Sequence, residues 1–239
     1  MRETQRYLHQ NGFHMLTKAI SPSDVNALIQ STVPLANHSP HGVRNLLKKS
    51  NFVKRFFQSK AIRNIIEPIA GKTAFPVRAI YFDKVAEANW NVAWHQDTKI
   101  AVTEEKEEEG YCSWSIKEGV VHVEPPKEIL ENILTLRVHL DSTGENNGAL
   151  RVLSGSHSNG RVKSNEVIQL VNTGIPITCT AEPGDILLMR PLLFHSSRKS
   201  IIPSHRRIIH VEYSSSELPE QVEWHERISC KKLLTRRCS

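Results

Sequence analysis

The sequence predicts a mainly β protein, a barrel or sandwich with helices packed outside it. Three observations carry this. Residues 1–71 hold helical signals, the chain from 72 to 215 breaks into short β-rich runs separated by turn residues, and one long insertion, 103–131, interrupts those runs. At 239 residues the chain can form one domain, followed by a C-terminal tail from 216 to 239.

The helical region is justified end by end. Ser21-Pro22-Ser23-Asp24 reads as a helix start: Ser21 caps, Pro22 suits the first turn, and Asp24 complements the positive end of the helix. Val25, Leu28 and Ile29 then form one apolar stripe. Ser50 caps a second segment, whose Phe52, Val53, Phe56 and Phe57 are read as helix packing. Ile62, Ile65, Ile66 and Ile69 repeat at helical spacing until Gly71, a C-terminal stop.

The β region follows. Strands are expected over Val77 to Phe82, Val92 to Gln96, Leu134 to Leu140, Ala149 to Leu153, Ile186 to Met189 and Arg207 to Tyr213. Glu145-Asn146-Asn147-Gly148 and Glu182-Pro183-Gly184-Asp185 are turns between them. The insertion from Thr103 to Glu131 carries the run Glu104-Glu105-Lys106-Glu107-Glu108-Glu109, then Tyr111, Trp114 and Pro125-Pro126, with His122 close by. A stretch of that length is expected to be a partly ordered, lid-like loop.

Composition narrows the class. No apolar run reaches the roughly 20 residues that span a bilayer, and Met1-Arg2-Glu3-Thr4-Gln5 lacks the apolar segment of a signal peptide. Cys112, Cys179, Cys230 and Cys238 have no CxxC spacing, which fits reduced thiols and a cytoplasmic protein. The formal net charge is +6. Part of the excess sits in the tail, at Lys231-Lys232 and Arg236-Arg237, and reads as a solvated, frayed terminus. No nucleic-acid motif accompanies it, so no specific nucleic-acid partner is expected.

Two distant segments read as halves of one metal site. In Trp94-His95-Gln96-Asp97, strand alternation turns His95 and Asp97 to one side and Trp94 to the other, where it is read as core. His-x-Asp alone is weak. His195, at the end of the apolar run Ile186 to Phe194, supplies the third ligand of a two-histidine, one-carboxylate triad, the set that holds non-haem Fe(II) and leaves positions open. Arg206 opens the next β run, sharing a face with Ile208 and His210. An inward arginine is costly unless an anion pairs with it, and its planar fork suits the free carboxylate of a dicarboxylic co-substrate. Ser197 can add a hydroxyl to that carboxylate. Lys99, two past Asp97, either meets an acidic substrate or is an exposed lysine at the rim. His139 is read as a hydrogen-bonded core group, and His157 as a brace for the Ser154-Gly155-Ser156 turn.

Together Trp94-His95-Gln96-Asp97, Asn146-Asn147-Gly148-Ala149-Leu150 continuing into Leu153-Ser154-Gly155-Ser156-His157, the Pro-Gly-Asp turn, and His195 with Arg206 resemble the phytanoyl-CoA dioxygenase family over roughly residues 10 to 215. The resemblance implies a double-stranded β-helix (jelly-roll, cupin-like) core, Fe(II) at His95, Asp97 and His195, and 2-oxoglutarate at Arg206, assisted by Ser197. It also implies co-substrate contacts from Arg137 and Arg78. The expected activity is an O2-dependent hydroxylation of an unactivated C–H in a small or acyl-linked molecule, with release of succinate and CO2. Asp97 favours hydroxylation, because halogenating relatives leave the carboxylate position empty for chloride. Lys99 and His122 are candidates for substrate contact. Two alternatives stay open: a non-oxidative metal-binding barrel (an isomerase or sensor), which has no use for Arg206, and a nucleic-acid dealkylase, which the basic charge suggests.

Overall fold

The computed structural model describes residues 2–36, 42–202 and 204–228. The basic tail residues, Cys230 and Cys238 lie outside them; Cys112 and Cys179 are free thiols.

Helix α1 (Arg2–Asn11) leads through Gly12, whose positive φ of 78° turns the chain, into strand β1 (Phe13–Leu16). Helix α2 (Pro22–Ala36) begins where the sequence predicts: the Ser21 hydroxyl accepts the Asp24 N–H at 3.1 Å. Helices α3 (Leu46–Lys49), α4 (Asn51–Phe56) and α5 (Lys60–Ala70) follow. Ser50 caps α4 by accepting from the Val53 N–H at 3.2 Å, and Gly71 closes α5. Val53, Phe56, Phe57, Ile62 and Ile66 bury themselves in the largest apolar cluster, against Ala79, Tyr81, Leu136 and Val211 of the sheet beneath.

The β region contains β2 (Phe75–Asp83), β3 (Val92–His95), β4 (Ile100–Val102), β5 (Cys112–Lys117), β6 (Val120–Glu124), helix α6 (Lys127–Glu131), β7 (Ile133–His139), β8 (Leu150–Leu153), helix α7 (Ser164–Thr173), β9 (Pro176–Cys179), β10 (Ile186–Met189), β11 (His195–Ser197) and β12 (Arg207–Ser214). A five-stranded antiparallel sheet runs β1-β10-β7-β12-β2, and a four-stranded one β3-β11-β8-β9. These are the two sheets of a jelly roll, the expected double-stranded β-helix. The central strand β7 is buried at every position, as a strand covered on both faces must be.

Three regions carry more structure than the sequence showed. The insertion 103–131, expected as a partly ordered lid-like loop, is more ordered than that: β5 and β6 form a hairpin through Glu118-Gly119 and pair with β4 in a third sheet, ordered β4-β6-β5. Its Tyr111, Val123 and Leu130 are buried with Val222 and Trp224, and this apolar cluster fixes the sheet to the core. The stretch 216–228, the described part of the expected tail, is packed on the core, while the frayed reading of Lys231-Lys232 and Arg236-Arg237 lies outside the described residues. Val222, Trp224 and Ile228 are buried, Trp224 bridges to Val102, and the Glu226 carboxylate accepts the Leu47 and Ala79 N–H groups at 2.9 and 3.0 Å. The strand expected over Ile186 to Met189 is β10, and the apolar run leaves it before Phe194. Pro191 has no N–H for a ladder, a turn closes from Leu193 N–H to the Arg190 carbonyl at 3.1 Å, and the chain crosses into the second sheet before His195.

Candidate metal centre and anion pocket

Strand β3 ends at His95, and β11 lies beside it with His195 directly opposite. Asp97 stands just past the strand end, held by its own N–H to the Pro191 carbonyl at 2.9 Å. The alternation expected of His95 and Asp97 therefore operates beyond regular strand, yet the two side chains still converge. His95 Nε2 lies 3.8 Å from Asp97 Oδ1, and His195 Nε2 lies 3.7 Å from Asp97 Oδ2. One ligand atom from each of the three falls within 4.8 Å of the others, the sole such cluster among the described residues.

The histidines are prepared for a metal. His95 Nδ1 faces the Ala93 carbonyl and His195 Nδ1 the Leu193 carbonyl, each at 2.9 Å. A carbonyl only accepts, so each Nδ1 carries the proton and each Nε2 keeps its lone pair. Burial pushes the His195 pKa down to about 4, against the pull of Asp97, so the ring is neutral at physiological pH. For Asp97, burial alone would raise the pKa; the neighbouring His195, His210, His95 and Arg78 outweigh it and hold the carboxyl well below the usual range. Asp97 Oδ2 is buried without a hydrogen-bond partner. An orphaned carboxylate oxygen facing two imidazole lone pairs is a donor set that fits a divalent metal.

A cavity of about 340 Å³ opens over this cluster. Its inner end is cationic. Arg206 precedes β12 and is 3% exposed; its Nη1 donates to the Gly148 carbonyl and reaches Ser197 Oγ at 3.5 Å. Arg137 on β7, also buried, touches His210 Nδ1 at 3.1 Å. Neither guanidinium has an ion-pair partner among the described residues, and the Nε–H of each is buried and unbonded. Among the described residues no carboxylate forms an ion pair with Arg206. Burial and then Arg137 lower the Arg206 pKa to about 9, with Asp83 opposing.

A third cation was missed. Lys84 is fully buried, its Nζ donating to Ser197 Oγ at 3.1 Å and to the Arg198 carbonyl at 2.8 Å. Burial, then Arg206 and Arg137, bring its pKa down to about 7. The signal was available: Arg78, Ile80 and Phe82 line the cavity from alternate positions of β2, and Lys84 continues that face. The Asn146-Asn147-Gly148 turn belongs here too. Gly148 takes φ 66°, and a Cβ on it would come within 2.8 Å of the Arg198 carbonyl. Its own carbonyl accepts from both Arg206 and Ser197.

The remaining predicted residues are placed as follows. Ser197 sits among the cations, with its own proton given to Gly148 at 2.8 Å. Arg78 lines the cavity, but its guanidinium is held by Glu212 at 2.9 Å, which separates it from the free arginines. His122 on β6 and Lys99 before β4 also line the cavity, His122 buried and Lys99 half-buried. Burial, then Arg78, lower the His122 pKa to about 4. His139 is buried behind the site and does not line the cavity. Trp94 is corrected: it is half-buried beneath the Arg151 guanidinium at 5.4 Å, not core. The His157 ring reaches the His9 carbonyl of α1 at 3.1 Å rather than its own turn.

A sequence model of the phytanoyl-CoA dioxygenase (PhyH) family matches residues 8–208. The chain belongs to that family. Its solved neighbours share the fold at low identity. SnoK, a non-haem α-ketoglutarate-dependent carbocyclase from nogalamycin biosynthesis, superposes with a TM-score of 0.70 at 13% identity, covering 90% of this chain and 83% of its own. EctD from S. alaskensis with bound Fe gives 0.69 at 17%, covering 89% and 75%. HygX from Streptomyces hygroscopicus with nickel and 2-oxoglutarate bound gives 0.64 at 14%, covering 90% and 86%. A search of curated sequences returned no match.

Proposed function

We propose that this PhyH-family chain is an Fe(II)- and 2-oxoglutarate-dependent dioxygenase that hydroxylates an unactivated C–H of a small or acyl-linked substrate, releasing succinate and CO2. One observation carries the reading. Arg137 and Arg206 line the cavity beside the His95–Asp97–His195 cluster, the buried Lys84 ammonium stands behind them on Ser197 Oγ, and no carboxylate of the described residues forms an ion pair with any of the three. Two buried guanidiniums without an ion-paired carboxylate are costly, as is charging Lys84 beside them, and a bound dicarboxylate relieves that cost. The iron bound in EctD and the 2-oxoglutarate bound in HygX, both on this fold, support the same pairing of metal and anion.

In this reading His95, Asp97 and His195 hold iron, which with 2-oxoglutarate and O2 supplies the oxidising chemistry. Arg206 fixes the distal carboxylate of 2-oxoglutarate through its guanidinium, and Arg137 adds charge from the neighbouring strand. Lys84 and Ser197 keep the pocket polar behind Arg206, and the Gly148 carbonyl sets its angle. Asp97 occupies the third ligand position, which supports hydroxylation as the outcome. Carbocyclase and epimerase relatives on this fold mark the other outcomes the assay must separate. A non-oxidative barrel leaves the cation cluster unexplained.

The test is anaerobic titration of the Fe(II) protein with 2-oxoglutarate. A visible charge-transfer band and calorimetric binding are expected, followed in air by succinate release. A protein that binds Fe(II) but shows no 2-oxoglutarate binding defeats the proposal.

A further inference from the structure

The outer end of the cavity has its own charge pattern. Apart from Asp97, every formally charged side chain lining the cavity is a cation: Arg44, Arg78, Lys99, Lys117, Arg137 and Arg206. Arg137 and Arg206 are already used at the inner end. Arg78 is paired with Glu212 and Arg44 with Glu118, at 2.9 and 3.0 Å. Lys99 and Lys117 have no ion-pair partner among the described residues.

Lys99 is held in place. Strand β5 bulges between Cys112 and Ser115, and within the bulge Ser113 takes a positive φ of 55°, a conformation that costs a serine free energy. The bulge turns the Ser113 carbonyl onto Lys99 Nζ, and Ser115 Oγ accepts from the same ammonium at 3.0 Å. An ammonium has three donors, so one remains for a ligand. Lys117 lies two positions past Ser115 on the same face of β5, at the hairpin end. Lys117 is exposed, and beside the cavity it shares with Arg44, Arg78 and Lys99 its ammonium is open to a ligand.

We infer that the primary substrate carries an anionic group, a phosphate-type oxyanion or a carboxylate, bound at the outer end of the cavity by the ammonium groups of Lys99 and Lys117. The inference rests on the iron and 2-oxoglutarate reading above, which assigns the inner cations to the co-substrate and leaves the outer pair for the substrate. Point-charge ammonium groups suit a phosphate approached from two sides. The anchored group lies at the open end, so the carbon to be oxidised points inward toward the metal cluster.

The experiment titrates the full-length protein, loaded anaerobically with Fe(II) and saturating 2-oxoglutarate, with methyl phosphate, with acetate, and with uncharged trimethyl phosphate. Binding is read by calorimetry. Saturable binding of methyl phosphate or acetate is expected, none of the triester, and about a tenfold loss in Lys99→Met/Lys117→Met. The arm that binds more tightly identifies the group. If the double variant melts early, Lys117→Met alone, at the exposed strand end, gives the same readout with about a threefold loss. The inference is overturned if neither anion binds saturably, or if binding is unchanged in the variants. Failure of the wild type to bind 2-oxoglutarate in the first step sinks the underlying reading instead.

Discussion

The two ends of the cavity are built on different principles. The inner end stands on the jelly roll itself: Arg137, His195, Ser197 and Arg206 are buried and sit in or beside paired strands of both sheets, the last three fixed by backbone carbonyls and Arg137 by the His210 ring. The outer end stands on the three-stranded β4-β6-β5 sheet, where Lys117 and Glu118 face solvent and Ser113 is strained. The difference separates what is shared from what is particular. Buried groups with carbonyl anchors suit a fixed reaction and one co-substrate. An added sheet with exposed charges can change its ligand without disturbing the metal.

Four substitutions test that division. Asp97→Ala removes the carboxylate between the two Nε2 atoms, and succinate release should fall below detection; turnover at the wild-type rate would refute the metal assignment. Arg206→Met should next weaken 2-oxoglutarate binding by about two orders of magnitude, since breaking a buried charge pair costs about 3–5 kcal/mol; calorimetry checks this. Lys84→Met should weaken it about tenfold, the scale of one charged hydrogen bond. The pH dependence sharpens the Lys84 prediction. Burial holds its pKa near 7 in the free protein, and a bound dianion favours the charged form. Binding should therefore take up a proton, and 2-oxoglutarate affinity should fall as pH rises above about 7, a trend that Lys84→Met flattens. In the free protein the sign is opposite for stability. Between about 7 and the ordinary lysine value the unfolded chain binds the extra proton, so this group's contribution to stability rises with pH there.

The smallest effect belongs to the outer end. Ser113→Gly relieves a left-handed serine worth about 1 kcal/mol, partly offset by the greater unfolded-state entropy of glycine. A net gain of about 0.5 kcal/mol, or about 1–2 °C in Tm, is expected by calorimetric melting. Co-substrate affinity should stay as it is.

The sequence made the inner end legible and left the outer end obscure, for physical reasons. His95, Asp97, His195 and Arg206 are residue types that chemistry restricts, spaced by strand alternation and turns, so their convergence could be argued before any fold was known. Lys84 escaped because a lysine at a strand end is usually exposed; only extending the inward face of β2 past Asp83 would have caught it. Strand β11 was hidden because Pro191 breaks one apolar run into two sheets. The insertion misled through its acidic run, which masked the alternation of Ser115 with Lys117 and of Val121 with Val123. The C-terminal segment was misjudged because its apolar residues, Val222, Trp224 and Ile228, are sparse and find their partners only in the third sheet and the core.

Glu226 bears on how the molecule comes together. Its two oxygens accept from residues 179 and 147 positions earlier in the chain, one at the start of the helical region's α3 and one inside β2. Loops of that length close late, because their entropy is lost before the contact is gained. Both amides are buried and would be orphaned without the carboxylate. A ribosome must therefore deliver nearly all of the described chain before this seam, which ties α3 to β2, can shut.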